Sequence, residues 1–257
     1  NIQEKYKNLI SAEIVADSLN QFQERLTTYK LVLPRYILSE LNTHRLFSKN
    51  SASSRAIPFK KMIQSVMENP FIPIAWQKDH KGMQGTEYLS GEEAERFAPN
   101  NWLRARDRTV SEAILLNKNI GVTKQLCNRL LEPFLYHTVL LTATEFNNFF
   151  ELRCPQYGGR DAKNNEVYFK SKKEAIKHLQ GLGVNTINLK EDDVLGWLKT
   201  NKGAADIHIM DLAEKMYDAY NESKPEQLEV GKWHIPFGDN IDENKIYLEC
   251  GFKDTNK

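Results

Sequence analysis

The chain has 257 residues, enough for one large domain with a sizeable core. Its 35 basic and 34 acidic residues leave a net charge of +1, which excludes a global pull toward nucleic acid or membrane, so any anion site must be local. Cys127, Cys154 and Cys250 are too few and too scattered for a disulfide framework or a metal site, and no apolar run approaches a membrane span, which points to a soluble, cytoplasmic protein without a signal peptide.

Residues 9–19 and 25–33 read as two strands, with Leu26, Tyr29, Val32 and Leu33 among β-formers and a short polar connection between them. Pro34 then opens a helix carrying Ile37, Leu38 and Leu41 at helical spacing. The stretch that follows, from Asn42 to Arg55, is dense in arginine, asparagine, histidine and serine and has few side chains to bury. Arginine forks, hydroxyls and backbone N–H groups are what a phosphate or pyrophosphate requires, so this stretch is either a ligand site or a solvated turn.

Pro58 starts a helix through Met67, and residues 69–85, with Pro70, Pro73, Gly82 and Gly85, form a long loop of the kind that often carries function. Ser90 and Glu93 suggest a capping box for a helix limited by Pro99; a longer helix runs over 101–119 and ends at Gly121. Residues 122–131 give a further helix stopped near Pro133, and 134–141 are apolar enough for core. Thr142 and Glu145 read as a second capping box, opening a helix whose Phe146, Phe149, Phe150 and Arg153 share one face. A guanidinium in line with that stripe must meet an anion, so Arg153 is in a structural ion pair or faces a ligand.

Residues 155–203 change character, with Gly158 and Gly159, a lysine-rich run over 170–177 and a short helix over 171–179, and read as an insertion. The basic run is a solvated helix face or a nucleic-acid contact, the former being favoured. Asp206 caps a helix whose Ile209, Leu212, Met216 and Ala219 form a core stripe; His208 lies on its surface or reaches a site. Trp233 and His234 read as packing of the C-terminal tail. Taken alone, His44 reads as a hydrogen-bonded structural histidine.

From His44 to Arg55 the pattern His-Arg-x-x-Ser-x-Asn-x-x-Ser-x-Arg resembles the signature of flavin-dependent thymidylate synthases, and Asn128–Pro133, Thr142–Arg153, Ser53–Pro58 and Trp233–Pro236 resemble further blocks of the phage-type branch. The resemblance implies an α+β fold, a small mostly antiparallel sheet packed with several helices, forming a single domain over 1–257 and assembled as a homotetramer with shared active sites. It implies that dUMP becomes dTMP, with FAD reduced by NADPH and methylenetetrahydrofolate as one-carbon donor, in the host cytoplasm if phage-encoded. By position, His44, Arg45 and Asn50 would serve the flavin. Glu40, Ser53, Ser54, Arg55, Arg129 and Arg153 would bind the nucleotide, with Arg153 and Ser53 at the chemistry. A cation near a pyrimidine carbonyl would stabilise charge as C5 is activated, and the flavin and folate would carry most of the reaction.

The chain departs from these patterns at named positions. Thr43 stands where an arginine is usual, Ser51 where an acid is usual and Glu40 where glutamine is common, and the block Ala-Gln-x-Glu-Ile reads Ala205-Asp-Ile-His-Ile209. The N-terminal flavin motif His-x-Thr-Pro-Phe-Glu-His is missing. Two other readings therefore stand beside the synthase: a related flavin enzyme modifying another pyrimidine nucleotide, for example by hydroxymethylation, and a non-catalytic nucleotide- or nucleic-acid-binding protein.

Overall fold

A computed structural model describes residues 2–82, 85–187 and 189–238, and the statements below refer to these. After a one-turn helix α1 (Ile2–Lys5), the strands β1 (Ser11–Leu19) and β2 (Arg25–Pro34) pair antiparallel, from Ser11 opposite Val32 to Leu19 opposite Arg25. Asn20 makes their turn: its Oδ1 accepts the N–H groups of Phe22 and Glu24, while Gln23 takes a left-handed φ of 63°. β3 (Ser48–Ser51) and β4 (Tyr136–Ala143) complete one edge, and β7 (Glu226–Gln227) adds a parallel pair at the other, giving a mixed sheet in the order β3–β4–β2–β1–β7. The fold is α+β, and its sheet is antiparallel except at β1–β7.

Tyr29, Leu31 and Leu33 of β2 and Val139, Leu141 and Ala143 of β4 alternate toward one face and are buried there. That face is covered by α2 (Leu38–Asn42), α6 (Asn147–Arg153) and α9 (Ile207–Glu222), whose Ile209, Leu212, Ala213 and Met216 are buried against it. Tyr29 buries its ring edge-on to Phe146, and its hydroxyl donates to the Met216 carbonyl at 2.9 Å, so the phenol enters the core with its polar atom satisfied. A second core, built on Met62, Val66, Val110, Ala113, Leu131 and Phe134, joins α3 (Phe59–Glu68), α4 (Ala98–Ile114) and α5 (Lys124–Leu130).

Several local expectations are revised. Neither capping box forms. The first helix of the 90s begins with N–H bonds from Ala94 and Glu95 to the Gly91 carbonyl, and its turns widen to π type over Glu93–Phe97, just ahead of Pro99 in α4. The helical run therefore passes through Pro99 to Ile120, where Gly121 at φ 85° closes it as expected. Thr142 stays in β4 with its hydroxyl bonded to that of Thr28 at 2.7 Å, and α6 starts only at Asn147. Asp206, by contrast, caps α9 as read, accepting the His208 N–H at 2.8 Å.

Residues 155–203 are more ordered than the sequence suggests. β5 (Tyr157–Arg160) and β6 (Glu166–Phe169) form a hairpin, followed by α7 (Lys172–Gly181) and α8 (Val194–Thr200). Lys170, Lys172 and Lys173 pair with Glu151 on α6 and with Glu214 and Glu222 on α9, at 2.7–2.8 Å. Much of the basic run thus fastens this segment to the body. In the tail, His234 packs as expected, its two ring nitrogens each 2.8 Å from the hydroxyls of Ser18 and Thr28, but Trp233 is 79% exposed. Cys127 and Cys154 are buried free thiols; Cys250 lies outside the described residues.

Candidate functional site

The polar stretch from Asn42 to Arg55 is not one loop, because β3 runs through it. Ser48 to Ser51 pair with Thr142 to Val139 at the sheet edge, so the residues before β3 and those after it are held apart by roughly 10 Å of extended chain. The structure accordingly sorts the sequence-derived residues into two groups.

The first group centres on Arg153 at the end of α6. Its Nε donates to His44 Nε2 at 3.0 Å, one Nη lies 3.4 Å from the Thr43 hydroxyl, and the other lies 3.6 Å from Glu40. Arg153 is paired with Glu40, and it also lines a cleft of about 350 Å³. His44 stacks on Phe47 and meets Phe149 edge-on, and burial, with the Arg153 and Lys49 charges, lowers its pKa, so the ring stays neutral and accepting.

The far wall of the cleft is the start of α9. Asp206 faces Glu40 across it, and behind Asp206 lies a buried network that sequence reasoning left undecided. His208 Nε2 accepts the Ile74 N–H at 3.2 Å, which places the ring proton on Nδ1; that nitrogen meets Asp206 Oδ1 at 3.0 Å and the Tyr36 hydroxyl. Burial alone would raise the Asp206 carboxyl, but hydrogen bonds from His208 outweigh it and hold the group below its ordinary pKa. Glu40 is shifted the other way: burial and then the Asp206 charge raise it, against partial opposition from Arg153. Gln77 and Tyr88, from either side of the 78–87 loop, and Asn201, from the 155–203 segment, complete the walls. None of these three was singled out in the sequence; the length of the proline-bearing loop was the available signal for Gln77.

The second group lies beyond β3. Ser54 donates to Glu132 at 3.1 Å, and Asn128, fully buried on α5, holds the loop by donating to the carbonyls of Ser54 at 2.8 Å and Ile57 at 3.1 Å. Glu132 also faces Arg35, 3.7 Å away, which in turn contacts His137. Arg55 is exposed and rests on Gln125 of α5 at 3.1 Å, and Arg129 follows one turn later on the exposed surface of that helix. The structure therefore sets Arg55 and the Ser53–Ser54 loop against the helix that carries Arg129. Ser53 Oγ accepts the Arg55 N–H, and no base contacts it among the described residues, which suits phosphate binding better than nucleophilic attack. Arg45 and Asn50 are exposed on the segment between the two groups.

Among the described residues there is no cluster of His, Cys, Asp or Glu able to hold a metal ion, and no helix is long and apolar enough to cross a membrane. No protein-family model and no curated protein matches the sequence. The fold is similar to a UMP/dUMP methylase, PolB from Streptomyces cacaoi, solved with 5-Br UMP: TM-score 0.52 at 14% identity, over 85% of this chain and 91% of that one. The same methylase with 5-Br dUMP aligns at a TM-score of 0.48 and 14% identity, over 77% of this chain and 66% of that one.

Proposed function

We propose that this chain modifies the pyrimidine ring of a nucleoside monophosphate at C5, as a flavin-dependent thymidylate synthase that converts dUMP to dTMP. The observation that carries the reading is the meeting of Arg153 with Glu40, Thr43 and His44, a segment more than a hundred residues earlier, beside a cleft that Glu40 and Arg153 line. The likeness of fold to a UMP/dUMP methylase supports the same reaction class.

Arg153 would meet a ring carbonyl, and the Ser53 hydroxyl with Arg55 and Arg129 would bind phosphate, while Ser54, its hydroxyl given to Glu132, would hold the loop that presents them. The separation of these groups by β3 suits a site completed by a second copy, as the resemblance to a homotetramer implies. The residues present fit a flavin in chemistry: Arg45 and Asn50 hold exposed donors for a pyrophosphate, and His44 offers a neutral ring among aromatic side chains. Bound FAD, reduced by NADPH, would supply redox chemistry, and methylenetetrahydrofolate the one-carbon unit.

A nucleic-acid role gains nothing from the lysine-rich run, three of whose cations are paired with α6 and α9. The decisive experiment is an absorbance titration. Protein supplied with FAD should show a bound-flavin spectrum that pyrimidine nucleoside monophosphates perturb and purine nucleotides do not; failure to take up flavin under any condition would remove the synthase reading.

A further inference from the structure

Asp206 stands at the N-terminus of α9 on the wall of the cleft, and its carboxylate is oriented rather than free. Its Oδ1 accepts the His208 N–H at 2.8 Å and meets His208 Nδ1 at 3.0 Å, and the Tyr36 hydroxyl meets that same nitrogen. The imidazole is fixed from its other side, because Nε2 accepts the Ile74 N–H at 3.2 Å and so keeps the ring proton on Nδ1. Both bonds from His208 end on one oxygen, which leaves Oδ2 to whatever enters the cleft. The same bonds hold the group below its ordinary pKa. At neutral pH Oδ2 therefore accepts hydrogen bonds and donates none.

The opposite polarity lies close by. Arg153 lines the same cleft, and the Glu40 carboxyl responds to both the Asp206 and the Arg153 charges, so an acceptor and a donor border one opening. Glu40 is the less suited of the two carboxylates to meet a ligand, since its partner at 3.6 Å is the guanidinium itself. Uracil has an edge of matching kind, an N3–H donor between two carbonyl acceptors. Cytosine has a bare N3 at that point, and a lone pair set against a carboxylate oxygen is repelled.

We infer that Asp206 is the specificity-determining residue of the cleft, selecting uracil over cytosine by accepting N3–H while Arg153 donates to the adjoining carbonyl. The inference rests on reading the cleft as the ring site of the proposed reaction.

The test is calorimetric titration of the FAD-supplied protein with dUMP, N3-methyl-dUMP and dCMP, repeated for Asp206→Asn. A site built to receive an N–H rejects a ligand that lacks it, so wild type should bind dUMP and bind the other two about tenfold or more weakly. In Asp206→Asn the amide oxygen stays with His208 and the NH2 takes the place of Oδ2, which reverses the polarity toward the ligand. Binding of dUMP should weaken about tenfold or more, and binding of dCMP should tighten. The substitution is close to isosteric and asparagine is a competent N-cap, so a thermal melt should show the fold retained. The N3-methyl comparison needs only wild-type protein and stands whether or not the variant folds. Binding of N3-methyl-dUMP or dCMP within about threefold of dUMP, or an unchanged ratio of dUMP to dCMP affinity in Asp206→Asn, overturns the inference and leaves the reading of the cleft in place. Failure of dUMP to bind wild type removes that reading, and the inference with it.

Discussion

Arg153 Nε donates to His44 Nε2 at 3.0 Å across 109 residues of sequence, so the end of α6 and the turn before β3 are locked in one arrangement. The imidazole can accept only while neutral. Burial and the neighbouring cations depress its folded-state pKa, and the sign follows: the contribution is fully present above the unfolded value and is lost as pH falls through the lowered folded one. His44→Phe keeps the ring contacts and removes the acceptor. It should cost about 1 kcal/mol in chemical denaturation at neutral pH and abolish the acid-side loss attributed to His44.

Arg55 bears no structural burden beyond one exposed hydrogen bond to Gln125. Arg55→Ala should melt within a few degrees of wild type and weaken nucleoside monophosphate binding about tenfold or more, while affinity for the bare nucleoside is unchanged. Equal loss for nucleoside and nucleotide would remove the phosphate role.

Asn128 is the peg of the same loop. Asn128→Ala leaves the carbonyls of Ser54 and Ile57 without their donor in a buried setting, and the expected loss is about 2–3 kcal/mol in urea unfolding. Proteolysis should then open the chain first near Ser53–Arg55.

Asp218 on α9 carries a pH signature remote from the cleft. Burial raises its pKa to about 6, with Ser171 and Lys173 opposing only in part. A raised folded-state value means that the stabilising term is full below the unfolded pKa and lost as pH rises toward 6. Asp218→Asn should therefore match wild type near pH 4 and exceed it by on the order of 1 kcal/mol at pH 7.5, after allowance for solvent screening. Equal stability at both pH values would rule out the buried-carboxyl account.

β1, β2 and α9 are legible in the sequence because β-formers, helical spacing and the Asp206 cap all agree locally. β3 is not: Ser-Lys-Asn-Ser has no strand character of its own, and its extension is imposed by pairing with β4. The two capping boxes fail for a related reason. The residue letters are present, but the Thr142 hydroxyl is claimed by Thr28 from another strand, and at Ser90 the Gly91 carbonyl starts the helix instead. In the cleft, Arg153 announces itself by a charge on an aromatic stripe. The His208 network does not, because Tyr36 and Ile74 stand 172 and 134 residues away.

The segment over 155–203 leaves and rejoins the body at a single neck. Gln156 donates its N–H to Asn201 Oδ1 at 2.8 Å, and its carbonyl accepts the Lys202 N–H at 2.9 Å. A unit with adjoining ends can vary in length without displacing the elements on either side of it, although here three lysine pairs and the Tyr157–Glu214 hydrogen bond also tie it to α6 and α9. Because Leu198 and Asn201 form part of the cleft rim, each change would retailor the opening while Arg153 and Asp206 stay where α6 and α9 hold them. The architecture thus draws the polar groups of the cleft from α2, α6 and α9, and part of its border from a separately closed stretch of chain.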